Sequence, residues 1–183
     1  MVLLEPHELG HNVLITSFIK DIGTFIDEKI TAKIESLMHY MADVSVEFIY
    51  KNCKFPVPTG PNFVVDNMIK IFDTFVRDWK PTEEDQPSKI PANCEDVCLN
   101  ALVFAFIWGI GGQIDEDTRN KYDLFLQDII IGENVVEKNQ LVDIQEKHPE
   151  PVKFKTVVGT EFTSLFDMSF NPDETKWINW IKT

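Results

Sequence analysis

Five residues near the start of the chain, His7-Glu8-Leu9-Gly10-His11, have the spacing H-E-x-x-H. On a helix this spacing sets two imidazoles on one face as zinc ligands, with the glutamate as general base for hydrolysis. Glu28, Glu35 and His39 are the candidates for a third ligand. Three features oppose a zinc hydrolase. Pro6 directly precedes His7, so the ligands would sit in a first helical turn and not in the body of a rigid helix. The longer form H-E-x-x-H-x-x-G-x-x-H fails, because Leu14 and Ser17 occupy its Gly and third His positions. Such sites also set their helix against a sheet that precedes it, and only six residues precede His7.

Other residues invite chemistry less directly. Gly109-Ile110-Gly111-Gly112 is glycine-rich but follows an apolar helix, so it lacks the helix N-terminus that cradles a phosphate. A helix stop is the simpler reading, and no G-x-x-x-x-G-K-[ST] loop occurs in the chain. Cys94-x-x-x-Cys98 has no second ligand pair nearby. With Cys53 it reads as free, buried thiols in a reducing compartment. Nothing favours a Ser-His-Asp or Cys-His arrangement. Arg119 is one of only two arginines, the other being Arg77. It falls in the first turn of a helix, where a cation opposes the helix dipole. That placement points either to an anionic partner, a carboxylate or a phosphate, or to a salt bridge with Asp115, Glu116 or a neighbouring acidic residue.

The 183 residues suffice for one domain with a real core, or a domain plus a tail. The net charge of −13 argues against nucleic acid and against anionic lipid, both of which need clustered cations. The apolar run Val97–Ile110 is shorter than the ~20 residues of a membrane span.

Apolar periodicity predicts about five helices. The first spans Val13–Ile22 and stops at Gly23. The second, Asp27–Lys51, carries Ile30, Ile34, Leu37, Met38, Met41, Val44 and Phe48 on one face. A Pro/Gly loop follows, and Asn62 caps the third, with core positions Val64, Met68, Ile71, Phe72, Phe75 and Trp79. After an exposed loop at Pro81–Pro91 comes the apolar fourth helix, Cys94–Trp108, ended by Gly109, Gly111 and Gly112. The fifth, capped by Asp115 or Asp117, runs to Ile131 with Gly132 as its stop, and Tyr122, Phe125, Leu126 and Ile129 form its inner stripe. Met1–Leu4 reads as a short N-terminal strand. Val152–Val158, Phe162–Phe170 and Lys176–Ile181 read as strands of a β-tail.

The order of these pieces resembles the dynein heavy chain. Met1–Gly10, MVLLEPHELG, is similar to the family's M-(V/I)-Y-x-E-P-x-x-L-G-W. Phe48–Pro58, FIYKNCKFPVP, is similar to F-(I/V)-R-x-x-C-K-x-x-V. Phe104–Phe125 resembles F-x-L-(V/I)-W-x-(I/V)-G-G-x-(I/L)-D-x-x-S-R-x-K-(F/Y)-D-x-F, and Gly159–Trp180 resembles the stretch ending in W-x-x-W. His11 stands where the pattern has Trp, and Thr118 where it has Ser.

The resemblance implies a mainly α, AAA+ lid-type helical bundle from the second AAA+ module of the motor ring, closer to axonemal than to cytoplasmic chains. It implies that residues 1–10 end the large subdomain, 11–148 form the lid and 149–183 lead to the next module. It further implies a non-catalytic piece of an ATP-driven microtubule motor, with ATP or ADP in the parent and no cofactor in the isolated chain. Trp108 and Arg119 would face the nucleotide. Neighbouring AAA+ modules, microtubules and other dynein chains would be the partners, and the cytoplasm, the cytoskeleton and the ciliary axoneme the location. The rival function is a free-standing helical interaction domain.

Overall fold

The structure, a computed structural model, describes residues 10–82, 89–131 and 164–180. The predicted strands Met1–Leu4 and Val152–Val158, the helix stop at Gly132, and His7 and Glu8 lie outside these residues. Helix α1, His11–Ile22, buries Ile15, Ile19 and Ile22 at helical spacing. Helix α2, Glu28–Asn52, starts where the Asp27 carboxylate accepts the Lys29 N–H, satisfying one of the helix's open donors. Its 25 residues bury Ile34, Leu37, Met38, Met41, Val44 and Phe48.

Helix α3, Pro61–Val76, begins one residue before the predicted cap. Pro61 takes the first helical position, where its missing N–H costs nothing, and Gly60 is the cap residue. Asn62 is inside the first turn, with its amide against Gly10. The inner face of α3 is Val64, Val65, Met68, Ile69, Phe72 and Val76. Ile71, Phe75 and Trp79 are only partly buried against the core.

Helix α4, Cys94–Ala105, does not stop at its glycines. It widens into a π-helical turn, Phe106–Ile110, then tightens into a 3₁₀ turn, Gly111–Gln113. The predicted C-caps are therefore interior positions. Gly109 is there because α3 crosses the chain at this point. A Cβ at residue 109 would lie 2.5 Å from the Met68 Cα, closer than any side chain can approach backbone. The stretch Cys94–Gln113 is 20 residues long and apolar enough to cross a membrane. Here Leu102, Val103, Phe106 and Ile107 form the centre of the core, packed against α3 in particular. Helix α5, Glu116–Ile131, is capped by Asp115, whose carbonyl accepts the Thr118 and Arg119 N–H groups and whose carboxylate accepts that of Asp117 at 3.2 Å.

The described part of the tail is a 3₁₀ turn, Leu165–Asp167, followed by an antiparallel hairpin of β1, Met168–Asn171, and β2, Lys176–Asn179. Phe170 faces Trp177 across the hairpin. The predicted strand Phe162–Phe170 thus starts later, at Met168. Phe75, Phe104, Phe170 and Trp177 form a chain of ring contacts at 5.5–6.3 Å that seats the hairpin on α3 and α4. Among the described residues, the mainly helical architecture of five α-helices with a small two-stranded sheet near the C-terminus agrees with the lid-type bundle predicted. The three cysteines are free, and burial pushes the Cys98 thiol up to about 12 and the Cys53 thiol to about 11.

Candidate functional site: the elbow between α4 and α5

Two sequence segments that are 60 residues apart meet at this elbow. The C-terminal end of α2 presents open carbonyls, as every helix C-terminus does, and Lys54, just past that end, adds an N–H and a carbonyl with no partner inside the helix. The first turn of α5 satisfies them. Lys54 N–H donates to the Thr118 hydroxyl at 2.9 Å, and Asp115 N–H donates to the Lys54 carbonyl at 2.8 Å. The Lys121 ammonium reaches the Asn52 carbonyl at 3.4 Å, and the Cys53 thiol lies 3.7 Å from the Thr118 carbonyl. Thr118 carries a hydroxyl, as the Ser of the resembling pattern does, and here that hydroxyl accepts the Lys54 N–H.

Below this joint Tyr122 is fully buried. Its hydroxyl lies 3.2 Å from the Phe106 carbonyl and 3.4 Å from the Ser45 hydroxyl, tying α5 to the π-helical turn and to α2. Burial raises its phenol far above the ordinary range, so it acts as a fixed donor and not as an acid. Phe125 stacks flat on Phe48, with centroids 4.2 Å apart and an interplanar angle of 9°.

The outer side of the elbow holds the two predicted site residues, and the structure brings them together around a third. Phe166, from the tail turn, presses on Gly111, where a Cβ would sit 2.3 Å from its ring. Trp108 meets the same ring edge-on at 5.4 Å, and the Arg119 guanidinium lies over it at 5.3 Å. Arg119 also donates from Nε to the Gly111 carbonyl at 3.1 Å and from Nη2 to the Ile114 carbonyl at 3.2 Å. Those carbonyls take the place of the predicted salt bridge to Asp115 or Glu116. Trp108 and Arg119 are each half-buried. By contrast Arg77 is exposed and forms an ion pair with Asp73 at 2.7 Å.

Sequence reasoning missed Asp123 and Phe166. Asp123 is 2% exposed and accepts the Leu165 N–H at 2.8 Å and the Gln127 amide at 3.2 Å. Burial raises its pKa, while those donors and the Ser164 hydroxyl act the other way. Its position beside Tyr122, on the inner side of α5, was the available signal. The tail closes on itself through Trp180 Nε1, which donates to the Phe166 carbonyl at 2.8 Å, and is tied to α4 through Trp177 Nε1, which donates to Asn100 at 2.7 Å.

Of the motif's two histidines, only His11 is among the described residues, and it and the candidate third ligands Glu35 and His39 have other contacts. His11 opens α1, and its Nε2 lies 2.7 Å from the Asp43 carboxylate. His39 contacts Asn12 at 2.9 Å and Glu35 at 3.9 Å. Among the described residues no group of three His, Cys, Asp or Glu is placed to hold a metal.

A family model for the dynein heavy chain AAA lid domain matches residues 34–182. That range contains the α2–α5 joint, the elbow and the tail hairpin. The chain belongs to this lid family. Its relatives include Dynein axonemal heavy chain 3 of Homo sapiens, 22% identical over 98% of this chain and 4% of the relative. Dynein axonemal heavy chain 12 of Rattus norvegicus is 22% identical over 98% of the chain and 6% of its own length. Dynein axonemal heavy chain 6 of Homo sapiens is 22% identical over 69% and 3%. The lid domain therefore spans a few per cent of the proteins it matches. No solved structure matches. The likeness to axonemal chains agrees with the predicted family placement, and with dynein and axoneme as descriptors of that family.

Proposed function

We propose that this lid belongs to the second AAA+ module of an axonemal dynein heavy chain and passes that module's nucleotide state to its neighbour. Residues 1–10 close the large subdomain, 11–148 are the lid and 149–183 the connector to the next module. The lid itself performs no chemistry. ATP or ADP belongs to the parent motor, whose partners are the adjacent AAA+ modules of the same chain, microtubules and other dynein chains. The parent works on the cytoskeleton of the cytoplasm or of the ciliary axoneme.

One observation carries the reading. Two dynein-like segments, the one around Cys53 and the more specific one around Arg119, are bonded to each other through Thr118, Lys54 and Asp115. A joint that ties backbone groups of two elements together resists their relative movement, which is what a rigid-body relay needs. Arg119 and Trp108, on the outer side of this joint, are the proposed nucleotide-facing residues, with Arg119 offering charge-assisted bonds to a phosphate oxygen.

Calorimetry tests this. The 183-residue chain alone should show no tight ATP binding. A longer dynein chain that includes the phosphate loop should bind ATP, and Arg119→Ala should weaken that binding. Tight binding by the short chain, or no effect of Arg119→Ala in the longer one, would overturn the proposal.

A further inference from the structure

Phe166 touches both residues proposed to meet the nucleotide, and it comes from the segment proposed to lead to the next module. Phe166 fills the hollow that Gly111 leaves, under the Arg119 guanidinium and against the edge of Trp108. Its own backbone is held from two sides. Asp123 accepts the N–H of the preceding Leu165, and the Trp180 indole donates to the Phe166 carbonyl. The Ser164 hydroxyl accepts the Phe166 N–H at 3.2 Å. Trp180 N–H also donates to the Asp167 carbonyl, so residues 164–180 form one internally bonded unit.

The guanidinium is held weakly in this arrangement. Among the described residues its hydrogen bonds go to neutral carbonyls at 3.1 and 3.2 Å, near the long end of the range. An anionic oxygen is a stronger acceptor for a guanidinium than a carbonyl. The ring beneath it contributes a cation–π contact that exists only while the tail turn is docked.

We propose that Phe166 is a positioning residue for Arg119. The docked tail turn wedges the guanidinium against the elbow carbonyls, and undocking of the turn releases it toward an anionic oxygen. By reciprocity, an anion that draws Arg119 away weakens the docking of residues 164–180. The idea rests on the nucleotide reading above only for the class of ligand, a phosphate-type anion.

The chain's two arginines make the wedge testable without any nucleotide. An arginine-directed dicarbonyl reagent, read out by mass spectrometry, labels exposed Arg77 as an internal reference and reports on Arg119 against it. Phe166→Ala should raise the Arg119-to-Arg77 labelling ratio about tenfold, as expected for losing an aromatic–cation contact. Phe166→Tyr, which keeps the ring, should restore the low ratio. Arg119→Gln should in turn speed amide hydrogen exchange across 164–180 while leaving α1 and α2 protected.

An unchanged ratio in a folded Phe166→Ala protein would overturn the wedge, as would exchange confined to residues other than 164–180. If Phe166→Ala fails to fold, Asp123→Ala removes the acceptor of the Leu165 N–H and loosens the same turn from the other side, and an unchanged ratio there also refutes it. Because the labelling needs no ATP, a positive result beside a failed nucleotide titration would separate this inference from the function proposed above.

Discussion

Two groups of polar contacts between elements of this molecule differ in kind. At the α1–α2 end, His11 meets Asp43 and His39 meets Asn12, side chain to side chain. At the elbow, Thr118, Asp115, Tyr122 and Asp123 each bond at least one backbone group of another element. A side-chain pair that sits partly in water gains little, since it loses rotamer freedom and is screened. A bond to a buried backbone group satisfies a donor or acceptor that would otherwise be stranded. The elbow should therefore be the stiff part of the fold, and the α1–α2 end the adjustable one.

The largest break should come from Phe125→Ala. It removes the ring stacked on Phe48 and leaves a cavity under the elbow, costing about 3–5 kcal/mol in urea unfolding. A loss below about 1 kcal/mol would mean that the site relaxes and that the elbow is softer than argued. Gly109→Ala comes next. Its new methyl would overlap the Met68 backbone, so α3 and the π-helical turn must separate, at about 2–3 kcal/mol. Wild-type stability in that variant would show that the close crossing is not needed.

Tyr122→Phe isolates the polar part of the joint. It keeps the ring but strands the Phe106 carbonyl, and should cost about 1–2 kcal/mol. The His11→Ala and Asp43→Ala pair, analysed as a double-mutant cycle, should give a coupling below about 1 kcal/mol. A coupling that exceeds the Tyr122→Phe effect would reverse the contrast drawn above.

Asp123→Asn sharpens the comparison through pH. Burial raises the Asp123 pKa above the usual carboxylate value of 3.8. A carboxyl whose folded pKa is raised stabilises the fold at low pH, and that stability is lost as pH rises through the folded value. Wild type should therefore lose stability relative to Asp123→Asn as pH climbs through the window just above 3.8. Unfolding midpoints measured across that window check the sign, and a flat or rising difference would count against it.

Much of the fold was legible because helices announce themselves locally. The stripe from Ile34 to Phe48 predicted α2 to within a residue at each end, and Gly23 and Asp115 marked ends that the structure uses. The glycines after Trp108 misled because a glycine signals only permission. Whether it ends a helix or lets another backbone approach depends on what lies opposite, here Met68. Arg119 was singled out for opposing the helix dipole. Its partners, two carbonyls and a ring, carry no charge pattern that a sequence displays.

The sequence by itself determined where the helices lie, which faces are apolar, and which segments resemble a dynein lid. Those properties depend on residues three or four positions apart. Only the tertiary structure decided that Thr118 closes on Lys54, that Phe166 sits on Gly111 beneath Arg119, and that Asp123 holds the tail turn. Each of these joins residues about 40 to 65 positions apart along the chain. Such contacts become favourable only once the core has brought the elements together, so no local periodicity records them.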